Sequence, residues 1–237
     1  PFSVTFDNVR PTATITSTAP ATTNTSPIPV TVTFSESVTG FLPAEVTVGN
    51  GSVSNFTGSG TTYTFDVTPS AQGTVTVDVA ADVAADAATN GNTAATQLTR
   101  TFDSVSPTVT VNMVDASLND GDNTSSVTFT FSEATTNFVE GDVTVSNGLL
   151  SDFSGSGTSY TATFTANDGF TGSGSVTVPA GSYTDVVGEG GTSGSDTVSI
   201  DTQNPTVIVN IVDASLSDGD NTSSVTFEFS EATTNFV

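Results

Sequence analysis

The feature that most restricts this chain is a stretch that occurs twice. Residues 113–139 read MVDASLNDGDNTSSVTFTFSEATTNFV, and residues 211–237 repeat them with three differences, Met113/Ile211, Asn119/Ser217 and Thr130/Glu228. Near-identity over such a length means duplicated modules, so each module must be a unit that can follow a copy of itself. Pro11, Pro107 and Pro205 mark one place in successive modules, as do Glu36, Glu133 and Glu231, which sets a period of roughly 97 residues. The chain of 237 residues therefore reads as two full modules and part of a third, not as one large domain.

Alternation of apolar with small polar residues predicts strands at 13–16, 30–34, 46–48, 63–67, 74–79 and 97–102 in the first module. The second module repeats the pattern at 109–114, 126–131, 143–145, 160–165, 175–178 and 197–200. Asn-Gly, Gly-Ser-Gly and proline-containing segments separate these runs, which is turn chemistry between short β-branched strands. The fold class expected is all-β: tandem immunoglobulin-like antiparallel β-sandwiches, whose usual size of about 100 residues matches the period. Residues 1–7 read as the last strand of a preceding module, 8–103 and 104–201 as complete modules, and 202–237 as the first two strands of a third. Two strands alone cannot bury a sandwich core. Residue 1 is proline and not methionine, so the chain reads as an excerpt or a processed product.

A period of two places Val32, Phe34, Phe56, Tyr63 and Phe65 inside the first module. The same rule selects Val127, Phe129, Phe131, Phe153, Tyr160 and Phe164 in the second. One segment competes with the all-β reading: residues 79–88 are rich in alanine and suit a helical turn. They are assigned to the loop before the last strand, because the matching residues 178–191 contain proline and several glycines.

Composition removes several functions. The chain has no cysteine, histidine, tryptophan or lysine, and its two cations are Arg10 and Arg100. Disulfides, thiolate metal sites and lysine cross-links are excluded, and the usual bases that activate serine or threonine are missing. The expectation is a protein that is not an enzyme. A net charge of −23 excludes a basic nucleic-acid footprint and disfavours an anionic membrane surface. No apolar run is long enough to span a bilayer, so no direct membrane insertion is expected.

The segments Val-Thr-Phe-Ser-Glu at 32–36, Ala-Asp-Ala-Ala-Thr-Asn-Gly-Asn at 85–92 and Phe-Asp-Ser-Val-Ser-Pro-Thr-Val-Thr-Val at 102–111 carry a family resemblance. The second module repeats them as Phe-Thr-Phe-Ser-Glu at 129–133, Tyr-Thr-Asp-Val-Val-Gly-Glu-Gly-Gly at 183–191 and Ile-Asp-Thr-Gln-Asn-Pro-Thr at 200–206. They resemble the bacterial Ig-like repeats of large secreted and surface adhesins, of the RTX and biofilm-associated type. The resemblance implies an extracellular spacer that holds an adhesive tip away from the cell, often stiffened by calcium between modules. The glycine-rich loop of the second module departs from the usual form of these repeats.

In a seven-strand sandwich alternate connections collect at opposite poles, so the loops after the second and sixth strands meet the incoming linker. That scheme brings together Asp7, Glu36 and Asp86 in the first module, and Asp103, Glu133 and Asp185 in the second. Asp201 and Glu231 begin a third set. Three carboxylates at one pole suit a hard cation, because calcium takes six to eight oxygens and accepts carbonyls and water for the remainder. The same acids can instead cap turns by accepting backbone N–H bonds. A second candidate cluster comprises Asp115, Asp120 and Asp122 in the duplicated stretch, with Asp168 and Asp201 arriving at the same pole. Its spacing matches an EF-hand loop only loosely.

These readings converge on a non-enzymatic structural repeat, with calcium as cofactor and neighbouring modules of the same chain as partners. The alternative is a surface-layer or filament subunit in which identical chains complete one another by strand addition.

Overall fold

A computed structural model of the chain describes residues 6–234 and 236–237. The chain divides into two compact units, one of residues 1–107 with 184–190 and one of residues 108–183 with 191–237.

The described residues of the first unit hold seven strands: β1 (Ala13–Thr16), β2 (Thr22–Thr23), β3 (Ile28–Val38), β4 (Val46–Gly49), β5 (Gly51–Pro69), β6 (Gly73–Val79) and β7 (Leu98–Phe102). One sheet has the order β1-β3-β5 and the other β2-β7-β6-β4. Strict alternation along β3 buries Ile28, Val30, Val32 and Phe34 against Val75, Val77 and Val79 of the facing sheet. Burying side chains of this size contributes about 1.5–3 kcal/mol each, and it fixes the register because a one-residue slip would expose the whole set.

The second unit repeats the order with β8 (Val109–Met113), β9 (Ser117–Asn119), β10 (Thr124–Thr135), β11 (Thr144–Ser146), β12 (Gly148–Ala166), β13 (Thr171–Val178) and β14 (Gly194–Asp201). Its sheets run β8-β10-β12 and β11-β13-β14-β9. Val127, Phe129, Phe164, Val176 and Val178 are fully buried between them. Among the described residues the strands β15 (Val207–Ile211) and β16 (Val225–Phe229) pair with each other alone, antiparallel, and Ile208, Val209 and Phe227 remain exposed.

Three features depart from the sequence expectations. First, β2 pairs with β7 and β9 with β14 in parallel, so neither sandwich is wholly antiparallel. Strands of two and three residues carry too little pattern to be recognised without their partners. Second, β5 and β12 each run for 19 residues, well beyond 63–67 and 160–165. The added half contains Asn55 at φ 52° and Gly58 at φ 126°, where a Cβ on Gly58 would lie 2.3 Å from the Thr62 carbonyl oxygen. The chain bends sharply enough there to hide the strand from a period-two reading. Third, Phe56 and Phe153 are only partly buried, and Phe41 and Phe138 take the central places instead. Phe41 lies 5.2 Å from Phe34 and 5.0 Å from Tyr63, both edge to face, an arrangement that adds to the gain from area alone.

Residues 79–88 contain no helix, and the 3₁₀ turns lie elsewhere, at Pro43–Glu45 and Glu140–Asp142. Residues 6 and 7 carry no strand, and the rest of the strand expected at 1–7 lies outside the described residues.

Candidate metal site

Three segments of the first unit converge at one pole: the linker before β1, the end of β3, and the connection from β6 to β7. Ala85 holds that connection against the chain leaving β3, by exchanging backbone hydrogen bonds with Thr39 at 2.8 and 3.0 Å. Ala85 also bridges Gly91, which closes the connection into a loop. The loop is anchored below by Asn92, which is fully buried. Its Oδ1 accepts from the amides of Val83 and Ala84, at 3.0 and 2.9 Å, and its Nδ2 donates to the carbonyls of Ala80 and Thr93, both at 2.8 Å. One side chain thus satisfies four backbone groups that would otherwise be orphaned.

This frame positions Asp7, Glu36 and Asp86, each of which brings a carboxylate oxygen within 4.8 Å of the other two. Asp86 is buried and accepts from the Asn90 amide at 2.8 Å and from Asn90 Nδ2 at 2.9 Å. The Asn90 side chain holds the Asp86 carboxyl below the usual aspartate range. Asn90 Nδ2 also donates to the Asp7 carbonyl at 3.2 Å, tying the linker to the loop. Glu36 is half-buried on β3, and its carboxyl is raised, first by burial and then by the charges of Asp7 and Asp86. The set is an all-oxygen donor group under electrostatic load, which is the chemistry that suits a calcium-like cation.

The period assigns Asp103, Glu133 and Asp185 to the same places. Asp103 and Asp185 belong to the first unit, where carboxylate oxygens of the two lie within 4.8 Å. Asp103 accepts from Gln72 Nε2 at 2.7 Å, and the buried Asp185 accepts from the amides of Val187 and Glu189, both at 2.9 Å. Glu133 is half-buried on β10 of the second unit. Within that unit Asp201 and Glu231 line one cavity of about 260 Å³ with Thr171, Gln203, Thr206 and Ser230.

Among the described residues Asp115, Asp120, Asp122 and Asp168 join no group of three acids within such reach. The intervening residues form β9, and at its last residue Asn119 Oδ1 accepts from the amides of Gly121 and Asp122, closing a tight turn with Asp120 and Asp122 exposed.

Comparison with known proteins fits this architecture. The family model of the bacterial Ig-like domain matches residues 7–102 and again residues 103–200. The chain belongs to the bacterial Ig-like domain family. No curated protein matches it. Among solved structures, this Ig-like chain is similar to invasin, described as a bacterial integrin-binding protein, at 16% identity and a TM-score of 0.43, covering 92% of this chain and 47% of that one. It is also similar to InvD of Yersinia pseudotuberculosis, at 18% identity and a TM-score of 0.35, over 90% of this chain and 66% of that one. The adhesin InvE of Yersinia pseudotuberculosis follows at 16% identity and a TM-score of 0.30, over 81% and 58% of the two chains. The bacterial Ig-like chain thus spans between about half and two thirds of the solved proteins it matches. No helix among its described residues is long and apolar enough to cross a membrane.

The sequence reading overlooked Arg10, Asn90 and Asn92 at this pole. The signal available for Asn90 was its position four residues after Asp86, where Glu189 follows Asp185 at the same interval.

Proposed function

We propose that the chain is a non-enzymatic spacer from an extracellular bacterial adhesin or biofilm-matrix protein, stiffened by calcium bound where each module is joined to the one before. The observation that carries this reading is the convergence of Asp7, Glu36 and Asp86 within 4.8 Å at the linker pole. Each of the three comes from a different segment, so a cation bound there would cross-link linker, strand and loop. Equivalent acids at Asp103, Glu133 and Asp185, and at Asp201 and Glu231, extend the device along the repeat. The function is geometric: ten residues of strand rise about 33 Å, so each module lengthens the stalk by a few nanometres, and the cations set how freely neighbours swing.

The test is thermal unfolding and small-angle scattering of the whole chain in roughly 1–10 mM calcium, about ten times the ~0.1–1 mM dissociation constants of weak extracellular sites, and again in chelator. At ten times the dissociation constant a cation stabilises the folded state by about 1.4 kcal/mol, a rise of roughly 5–10 °C for a module of this size. A rise of that order with a longer envelope in calcium supports the reading, and Glu36→Gln with Glu133→Gln should abolish both. An identical melt and envelope in calcium and chelator would sink it, and concentration-dependent growth of the particle would favour strand addition between chains.

A further inference from the structure

We infer that Arg10 is a resident cation, a latch that keeps the linker docked on the first module when no metal is bound. The guanidinium reaches across the linker to the β6–β7 loop and engages three acceptors there. Its Nε donates to the Gly91 carbonyl at 2.7 Å, and one Nη donates to the Asn92 carbonyl at 2.8 Å and pairs with the Asp82 carboxylate. The ion pair alone holds little, because Arg10 and Asp82 are both open to water. The carbonyl contacts are different. Both carbonyls belong to a segment already fixed by the buried Asn92 side chain, so Arg10 closes on a rigid target and loses little freedom per bond.

Its neighbours complete the docking. The Thr93 amide donates to the Pro11 carbonyl at 2.8 Å, and Asn90 Nδ2 donates to the Asp7 carbonyl at 3.2 Å. Arg10 therefore sits between two further stitches of linker to loop, on the loop that also carries Asp86. The period places Ser106 and Asn204 where Arg10 stands, and Gly181 where Asp82 stands. The latch is peculiar to the first module.

Amide hydrogen exchange of the full chain in chelator tests it. The Thr93 amide should be protected in the native protein, and Arg10→Ala should speed its exchange roughly tenfold or more, the loss expected for charge-assisted bonds. Amides of Val32 and Phe65 in the core strands should keep their rates. Arg10→Lys keeps the charge but cannot span both carbonyls, and should lie between the two. Unchanged Thr93 exchange in Arg10→Ala would overturn the latch, as would equal acceleration at Val32 and Phe65, which would make Arg10 a contributor to global stability only. Full protection in Arg10→Lys would reduce the device to an effect of charge and overturn the carbonyl clamp. Metal is absent throughout, so failure of the calcium site would leave this outcome untouched.

Discussion

The two modules close the same loop by opposite chemistry. Asn92 and Gly191 are equivalent: their carbonyls accept from the amides of Asp82 and Gly181, at 2.9 and 2.8 Å, and their amides donate to the carbonyls of Ala84 and Tyr183, both at 2.9 Å. In the first module the side-chain amide of Asn92 fills the interior of the loop and pairs with its backbone. In the second there is no side chain at Gly191, and the buried Tyr183 ring occupies the space, its hydroxyl donating to the Thr192 carbonyl at 2.9 Å. A Cβ at Gly191 would lie 2.1 Å from that ring. Ala84 stands where Tyr183 does, so small-with-asparagine and large-with-glycine are two solutions to one packing problem. The lesson is that the loop's shape is what the two modules share, and the shape is what places Asp86.

The aromatic solution should be the more costly to break. Tyr183→Ala removes a fully buried ring that also packs 4.8 Å from Phe131, and should destabilise the second module by about 3–5 kcal/mol in urea unfolding. Gly191→Ala should cost about 1–3 kcal/mol through overpacking. A Gly191→Ala variant as stable as the native chain would show that Tyr183 does not fill the loop, and the comparison would fail.

Asn92→Ala takes the side-chain partner from two amides and two carbonyls and should cost the first module about 2–4 kcal/mol, with ~1–3 for each of those groups that water cannot reach once the side chain is gone. The chain supplies its own assay. Trypsin cuts after lysine and arginine but not before proline, and the two cations are Arg10, which precedes Pro11, and Arg100 within β7. The Arg100 guanidinium is tied to the carbonyls of Ala19, Thr99 and Ser17, so cleavage there reports opening of the first module. Asn92→Ala should be cut at least tenfold faster than the native chain, and an equal rate would show that the asparagine is not the anchor.

Exchanging the solutions sharpens the comparison further. Asn92→Gly alone should cost as much as Asn92→Ala, whereas Ala84→Tyr with Asn92→Gly should recover about 1 kcal/mol or more, a coupling of the size found between residues in contact. Simple additivity of the two changes would mean that the loops are held by something other than their interiors.

What could be read in advance divides along the same line. Strands such as Ala13–Thr16 were legible because alternation is a local property, and Phe34 and Phe129 lay where a period of two puts them. Asp7, Glu36 and Asp86 were legible because their places recur in the next module. Asn92 was not, since an asparagine beside glycine reads as an ordinary turn residue and its worth lies in four partners that only the folded loop supplies. Tyr183 was hidden for a related reason: it follows a glycine and a serine in a segment with no strand pattern. Parallel pairing of β2 and β9 depends on β7 and β14, about 80 residues away in each case, and local sequence cannot announce it.

The smallest expected effect concerns the charges that the loop holds together. Glu36 has its pKa raised by burial and by Asp7 and Asp86, so its ionised form opposes folding. That opposition is absent below the unfolded glutamate value of about 4.3 and is complete once the pH exceeds the folded value. Asp86 has the reverse sign, because the Asn90 bond lowers its pKa, and its stabilisation is present above the unfolded value and lost as pH falls through the folded one. Glu36→Gln removes only the opposing term. In chelator at neutral pH it should melt slightly above the native chain, and the gap should close on acidification as Glu36 becomes neutral. In millimolar calcium the order should invert, because the native chain gains a ligand that the variant cannot hold. A variant that melts below the native chain in chelator would mean that Glu36 has a favourable partner at this pole, and the repulsion that makes the site receptive to a cation would not exist.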